Sequence, residues 1–275
     1  MNIRMIVSDI DGTLIPGGGT LSEYTKRVLK ACEEKGVYVV LASGRTFYGA
    51  RGVSLEASLR GPVISANGGR ADASPEGGVI FEDTLDEESS LRIYHALRDA
   101  GCFMTSYVGT KIYALEETNG FGSKCAQTSE IRKGGDHIVV NDEARFLREG
   151  TVRPYKYEAY SDDTALIDRL REKFLSWGLS VSSAFPYNLE ILAPGGGKGR
   201  AVEALAAHFG IDRSEIMAFG DGSNDLTMLK AVGWPVAMAN GVQVLKDAAW
   251  KIAPDCRDGG EARVLAEYVL GEKTE

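Results

Sequence analysis

Short, almost wholly apolar runs alternate with amphipathic ones at both ends of the chain. Ile3 to Ile10 is nearly all apolar, and its length predicts a strand buried on both faces, as in a parallel sheet. Asp11 to Thr20 reads as a loop containing the turn-rich run Pro16-Gly17-Gly18-Gly19. Leu21 to Lys35 reads as a helix: Ser22 suits its N-cap, Gly36 its stop, and Val28, Leu29 and Cys32 recur at helical spacing. Val37 to Ala42 is a second buried strand, Phe47 to Leu59 a helix, and Pro62 to Ala66 a third strand. Strand, helix, strand, helix, strand predicts an α/β fold on a parallel sheet.

The same grammar returns near the C-terminal end. Lys198 to Phe209 reads as a helix closed by Gly210, Ile216 to Phe219 as a strand, and Asp225 to Val232 as a helix. Val236 to Met238 is a further strand and Ala262 to Leu270 a further helix. The middle differs. Glu87 to Ala100 and Asp163 to Trp177 read as helices. Phe103 to Tyr107 and Lys111 to Leu115 form one expected hairpin, Leu179 to Phe185 and Asn188 to Ala193 a second, and Tyr155 to Tyr160 a further strand. Residues 119–135 show no periodicity. The expected architecture is a Rossmann-like parallel-sheet core, 1–83 and 195–275, with an inserted α+β cap domain at 84–194.

Composition narrows the class. Of 275 residues, 44% are hydrophobic and 25% charged, which suits a folded globular chain. No apolar run reaches a membrane span, and the first residues lack a signal peptide's layout. The net charge of -8 argues against a general nucleic-acid binder. Cys32, Cys102, Cys125 and Cys256 are too scattered for a metal or redox pair, and they predict buried, reduced thiols in a cytoplasmic protein.

Each apolar strand of the outer region ends in polar residues. The ends are Asp9-Ile10-Asp11-Gly12-Thr13, Ser43-Gly44-Arg45, Asn67-Gly68-Gly69, Gly220-Asp221-Gly222-Ser223-Asn224-Asp225 and Asn240-Gly241. In open parallel sheets ligands bind beyond the carboxyl ends of the strands. Clustered carboxylates repel unless they share a cation or a proton, so Asp9 and Asp221 imply a hard divalent ion, Mg²⁺. Ser43 and Asn67 can donate to phosphate oxygens, and Lys198 can neutralise one. A carboxylate beside a phosphate is a candidate nucleophile, and a second carboxyl group two residues on is a candidate acid and base.

At these residues the chain resembles the haloacid dehalogenase superfamily, and within it the Cof-like sugar-phosphatase group. Asp9-Ile10-Asp11-Gly12-Thr13, Ser43-Gly44-Arg45, Lys198-Gly199 and Gly220 to Asp225 are similar to that family's four motifs, in order. The resemblance implies a Mg²⁺-dependent phosphatase that hydrolyses a small phosphorylated metabolite, such as a sugar phosphate, through an aspartyl-phosphate intermediate. Asp9 would be the nucleophile, Asp11 the general acid and base, and Lys198 a phosphoryl-holding catalytic residue. Thr13, Ser43, Gly44, Arg45, Asn67 and Asn224 would surround the substrate. Asp9, Asp11 (through its main-chain carbonyl), Asp221 and Asp225 would hold the metal. The cap would close over the substrate and select the leaving group. A monomer or small homo-oligomer is expected, with no nucleic-acid or membrane partner.

Other functions would make different demands on the same residues. A phosphomutase or phosphotransferase of this fold would use the same aspartates. A non-catalytic phosphometabolite sensor would have lost the nucleophile or the acid, and neither is lost. A dehalogenase has no need of Asp11. A P-loop around Lys198 fails because position 192 is Leu and a Gly follows the lysine. A calcium loop from Asp221 fails because its twelfth position is Val232. Asn67 and Asn240 read equally well as turn residues. In the cap, Lys124, Arg132, Lys133, His137, Arg148 and Arg153 are candidate substrate contacts, although a solvated charge is the commoner role for each. Tyr187 and Asn188 sit at a hairpin tip. Tyr155, Tyr157 and Tyr160 are expected to pack within their strand.

Overall fold

The computed structural model describes residues 1–17, 19–115, 137–140 and 153–272. The chain begins with β1 (Met5–Ser8), α1 (Glu23–Glu34), β2 (Tyr38–Ala42), α2 (Phe47–Glu56), β3 (Val63–Ser65), β4 (Arg70–Ser74) and β5 (Gly77–Glu82). It continues through α3 (Glu87–Asp99), β6 (Phe103–Val108), β7 (Lys111–Leu115), β8 (His137–Val140), β9 (Lys156–Tyr160), α4 (Thr164–Ser176), β10 (Ser180–Ser182) and β11 (Asn188–Leu192). There follow α5 (Lys198–Phe209), β12 (Ile216–Gly220), α6 (Leu226–Ala231), β13 (Trp234–Met238), α7 (Gln243–Ala248), β14 (Lys251–Ala253) and α8 (Gly260–Leu265). Two compact units result, one of Met1–Glu82 with Gly197–Glu275, the other of Asp83–Gly196.

The first unit is an α/β sandwich on a sheet ordered β14-β13-β12-β1-β2-β3-β4-β5. The strands from β14 to β3 run parallel, with Ser8 in register with both Phe219 and Leu41. Alternate side chains feed two cores. Ile6, Leu41, Phe219 and Met238 point to the face covered by α1, α2 and α8, where Leu29, Val53 and Leu265 meet them. Met5, Val7, Val40 and Ala218 point to the other face, against Val202, Leu205, Met228 and Leu245. Burial on both faces is what a central strand such as Met5–Ser8 needs, and its lack of polar alternation follows. The α1 start is as expected: Ser22 Oγ accepts the Thr25 N–H at 3.0 Å.

The structure adds an antiparallel extension that sequence patterning does not anticipate. After β3 the chain turns back through β4 and β5. This edge is polar: Arg70 grips the buried Asp72 carboxylate through two bonds of 2.6 and 2.7 Å. The predicted helix from Asp225 is a 3₁₀ turn over Ser223–Asp225 leading into α6. The predicted C-terminal helix starts two residues earlier, at Gly260, and widens after Leu265.

The second unit is α+β. Its sheet runs β10-β11-β9-β6-β7-β8, antiparallel except for β7 with β8. One face packs on α3 and α4 through Met104, Tyr157, Ile191, Leu97, Ile167 and Phe174. The residues between them on β9 and β11 form a buried polar ladder. Lys156 Nζ lies 2.6 Å from Glu158 and 3.1 Å from Glu190, and the Tyr160 hydroxyl donates to Glu158 at 2.8 Å. The β6–β7 hairpin turns at Gly109, whose φ is 58°. Residues 119–135, with Lys124, Cys125, Arg132 and Lys133, and also Arg148, lie outside the described residues.

Candidate active site

The parallel strands of the first unit end together, and their ends carry the polar residues. The N–H of Asp9 extends the ladder to the Phe219 carbonyl at 3.0 Å, which sets Asp9 beside the end of β12. Beyond it the chain folds tightly, Ile15 N–H to Ile10 carbonyl and Gly12 N–H to Ile15 carbonyl, each at 2.8 Å. Gly12 has φ of 92°, and a Cβ there would sit 2.2 Å from Asp221 Oδ2. Only glycine allows this loop to press against the β12 end.

Lys198 anchors the centre. Its Nζ, fully buried, lies 2.5 Å from Asp9 Oδ1 and 2.5 Å from Asp225 Oδ1. The other Asp225 oxygen accepts the N–H groups of Asp221 and Gly222, both at 3.0 Å. Thr13 Oγ1 donates to Asp221 Oδ1 at 2.9 Å. Asp9, Asp221 and Asp225 each offer an oxygen within 4.8 Å of the others.

Three carboxylates thus face one ammonium. Burial pushes the Asp9 carboxyl well above the usual range, Lys198 pulls it back, and Asp225 and Asp221 push it further up. Burial, with Asp225 adding to it, raises Asp221 to about 6. Burial opposes the charge on Lys198, but Asp225 and Asp9 outweigh it and hold the ammonium protonated. With all three carboxylates ionised, the cluster is short of positive charge by two. Hard oxygen donors with that deficit fit a divalent cation.

Asp11 stands apart from this triad. Its carboxylate, 49% exposed, is held by Arg45 through Nε at 2.8 Å and Nη2 at 2.6 Å. Ser43 is buried, and its Oγ accepts the Arg45 N–H at 3.2 Å, which folds the Ser43-Gly44-Arg45 turn. The Ser43 carbonyl accepts the Asn67 N–H, which ties this turn to the next strand end. Asn67 is a left-handed residue with φ of 55°. Its Oδ1 accepts from Asn224 Nδ2 at 3.2 Å, while its buried Nδ2 has no partner among the described residues. It is therefore both a turn residue and a donor still open to an anion. Asn240 differs: its amide donates to the Gly12 carbonyl and accepts from Cys256 N–H, so it braces the loop.

In the second unit, Arg153 is exposed, and His137 lies on β8. Tyr187 stacks on Phe185 with centroids 5.2 Å apart. Asn188 is buried, and its Oδ1 accepts the Ala184 and Phe185 N–H groups, so it closes its own hairpin. Tyr157 packs in the core of the unit, as expected of a strand residue.

The haloacid dehalogenase-like hydrolase family profile matches residues 6–265. The chain belongs to the haloacid dehalogenase-like hydrolases. Among relatives of known name, the 5-amino-6-(5-phospho-D-ribitylamino)uracil phosphatase YcsE of Bacillus subtilis (strain 168) is 26% identical, over 98% of this chain and 97% of its own. A haloacid dehalogenase-like hydrolase structure from Bacteroides thetaiotaomicron is 27% identical with a TM-score of 0.82, covering 96% of this chain and 99% of that one. One from B. subtilis, at 22% identity and a TM-score of 0.86 over 97% and 100%, shares the fold. In this haloacid dehalogenase-like chain, motif reasoning passed over Ser8 and Glu261, which meet directly behind Asp9. The sequence carries little signal for the pair: Glu261 stands just before the predicted helix Ala262 to Leu270, next to the charged Arg263.

Proposed function

We propose that the protein is a Mg²⁺-dependent phosphatase that hydrolyses a small phosphorylated metabolite through an aspartyl-phosphate on Asp9. The observation that carries this is the buried Asp9–Lys198–Asp225 contact at the end of β1, with Asp221 beside it. As a member of its hydrolase family the chain is a phosphoric monoester hydrolase.

An Asp9 oxygen attacks phosphorus, and the bond from phosphorus to the ester oxygen breaks. The leaving oxygen takes a proton from Asp11. Water then attacks the phosphorus of the aspartyl-phosphate, Asp11 accepts its proton, and phosphate and the Asp9 carboxylate return. Arg45 has a part in this exchange. An incoming phosphate dianion competes for the guanidinium, and Asp11 released from that pair takes up the proton it needs as an acid. Lys198, Ser43 and the Asn67 amide hold phosphoryl oxygens. Asp9, the Asp11 carbonyl, Asp221 and Asp225 would hold Mg²⁺, which would supply charge neutralisation of the phosphoryl oxygens.

The second unit, as a cap, selects the leaving group. A phosphorylated sugar or polyol chain is the favoured substrate class, in keeping with the phosphoribityl compound in the name of the B. subtilis relative. The test is phosphate release from a panel of phosphorylated sugars, polyols and nucleotides, each with Mg²⁺ and with chelator. Metal-dependent release, strongest for sugar or polyol phosphates, is expected. No release from any compound by folded protein would overturn the assignment.

A further inference from the structure

Glu261 lies in the first turn of α8, buried at 2% exposure. Its Oε2 is 2.6 Å from Ser8 Oγ, and Ser8 Oγ is 2.8 Å from the carbonyl oxygen of Asp9. Ser8 has one hydroxyl hydrogen, so it can donate to only one of these two oxygens. Among the described residues, Ser8 is the one donor to the Asp9 carbonyl. Both contacts are hydrogen bonds only if the carboxyl group carries the second proton. The other oxygen, Glu261 Oε1, is buried with no partner among the described residues, which an ionised carboxylate tolerates poorly.

Among the described residues, no basic side chain offsets a charge at this place. Glu261 has no ion pair among the described residues. On the elements packed against α8, Lys35 donates to the carbonyls of Val269 and Leu270, and Lys251 to the Tyr268 hydroxyl. Arg257 pairs with Asp255, and Arg263, on α8 itself, donates to the Asp258 carbonyl. Cys32 on α1 is a buried thiol pushed up to about 12 by burial and then by Glu261. Asp258, Glu267 and Glu272 add only negative charge. Burial accordingly pushes Glu261 up to about 8, with the Ser8 hydrogen bond opposing.

We propose that Glu261 is a positioning residue for the nucleophile: its carboxyl O–H donates to Ser8 Oγ, and Ser8 donates to the main-chain carbonyl of Asp9. The relay pins the Asp9–Ile10 peptide just beyond β1, where the chain leaves the sheet and the Asp9 side chain enters the site. When Glu261 ionises, the Ser8 hydroxyl turns to the carboxylate and the Asp9 carbonyl loses its donor. The catalytic consequence rests on the phosphatase reading. The relay itself does not.

The test follows the Glu261 carboxyl carbon and the Asp9 carbonyl carbon by ¹³C NMR from about pH 6 to pH 10, with kcat measured in parallel. Wild type, Glu261→Gln, Glu261→Leu and Ser8→Ala are compared. In wild type the two carbons are expected to shift together in the alkaline range, with kcat falling over the same interval. Glu261→Gln, whose amide still donates to Ser8, keeps the Asp9 carbonyl shift and near-normal kcat and loses the alkaline fall. Glu261→Leu and Ser8→Ala displace the carbonyl shift and lower kcat on the order of 10- to 100-fold, the scale of a misplaced reacting group. If the leucine variant does not fold, Ser8→Ala carries the test. A Glu261 carboxyl already ionised at neutral pH, or an Asp9 carbonyl indifferent to Ser8→Ala, overturns the proposal. A protein that releases no phosphate overturns the phosphatase reading, while the two NMR signals still decide the relay.

Discussion

Replacing Glu261 by Gln makes a thermodynamic prediction that needs no substrate. The carboxyl ionises at 4.5 in its ordinary state and at about 8 in the fold. At about 1.4 kcal/mol for each unit of pKa, keeping that proton to about pH 8 corresponds to about 5 kcal/mol of folding free energy. The sign follows from proton counting. Between the two values the native state holds a proton that the unfolded chain has released, so stability falls as pH rises. The contribution is fully present below about pH 4.5 and exhausted above about pH 8. The first turn of α8 favours an anion, but by only about 0.3–1 kcal/mol, too little to cancel burial. Gln cannot titrate, so subtracting the two proteins removes every other ionising group. Urea unfolding from about pH 5 to pH 10 should show the Gln variant gaining on wild type by about 1.4 kcal/mol per pH unit up to about pH 8, then levelling. Against a typical total of about 5–15 kcal/mol that is a large effect. Parallel stability curves for the two proteins would refute the reasoning, because they would mean that Glu261 is charged in the native state.

Further outcomes follow from the site. Lys198→Met strands Asp9 and Asp225, now 2.5 Å from its ammonium; it should cost about 3–5 kcal/mol in urea unfolding and abolish turnover, and a loss below about 1 kcal/mol would show that those carboxylates are satisfied otherwise. Thr13→Val removes the 2.9 Å hydrogen bond that orients Asp221 and should weaken Mg²⁺ binding by about 10- to 100-fold in calorimetry; an unchanged Kd would remove Thr13 from ligand positioning. Because Asp221 takes up a proton near pH 6, Mg²⁺ affinity should decline as pH falls below about 6, and a flat profile from about pH 5 to pH 7 would contradict its role as a ligand. Arg45→Ala should change stability by less than about 1 kcal/mol, since its partner Asp11 is half exposed, yet lower kcat/KM; unaltered kinetics would exclude the proposed exchange between Asp11 and phosphate.

What sequence patterning reveals here depends on how local each signal is. The parallel strands are legible because burial on both faces leaves no polar alternation, as in Met5–Ser8 with every residue buried. The start of α1 is legible because its cap is three residues away, Ser22 to Thr25. The strand β4 is not, since its buried Asp72 is made tolerable by Arg70 through a contact that patterning does not display. The strand β14, three residues long, is below the length at which alternation can be read. At the site, Asp9, Asp221 and Asp225 converge as their strand ends suggest, and Lys198 reaches them from the start of α5. Asn240 and Asn188 turn their amides to neighbouring main chain, a choice decided by loop geometry. Ser8 and Glu261, 253 positions apart, meet only once the sheet and α8 are assembled.

The central claim is that Asp9 forms a bond to phosphorus. It is tested most directly by measuring phosphate release from the best sugar or polyol phosphate with wild type and Asp9→Asn side by side, after matching their unfolding midpoints. Wild type should release phosphate in a Mg²⁺-dependent manner and the variant none, because an amide of nearly the same shape cannot form the acyl phosphate. Turnover by Asp9→Asn close to that of wild type would contradict it.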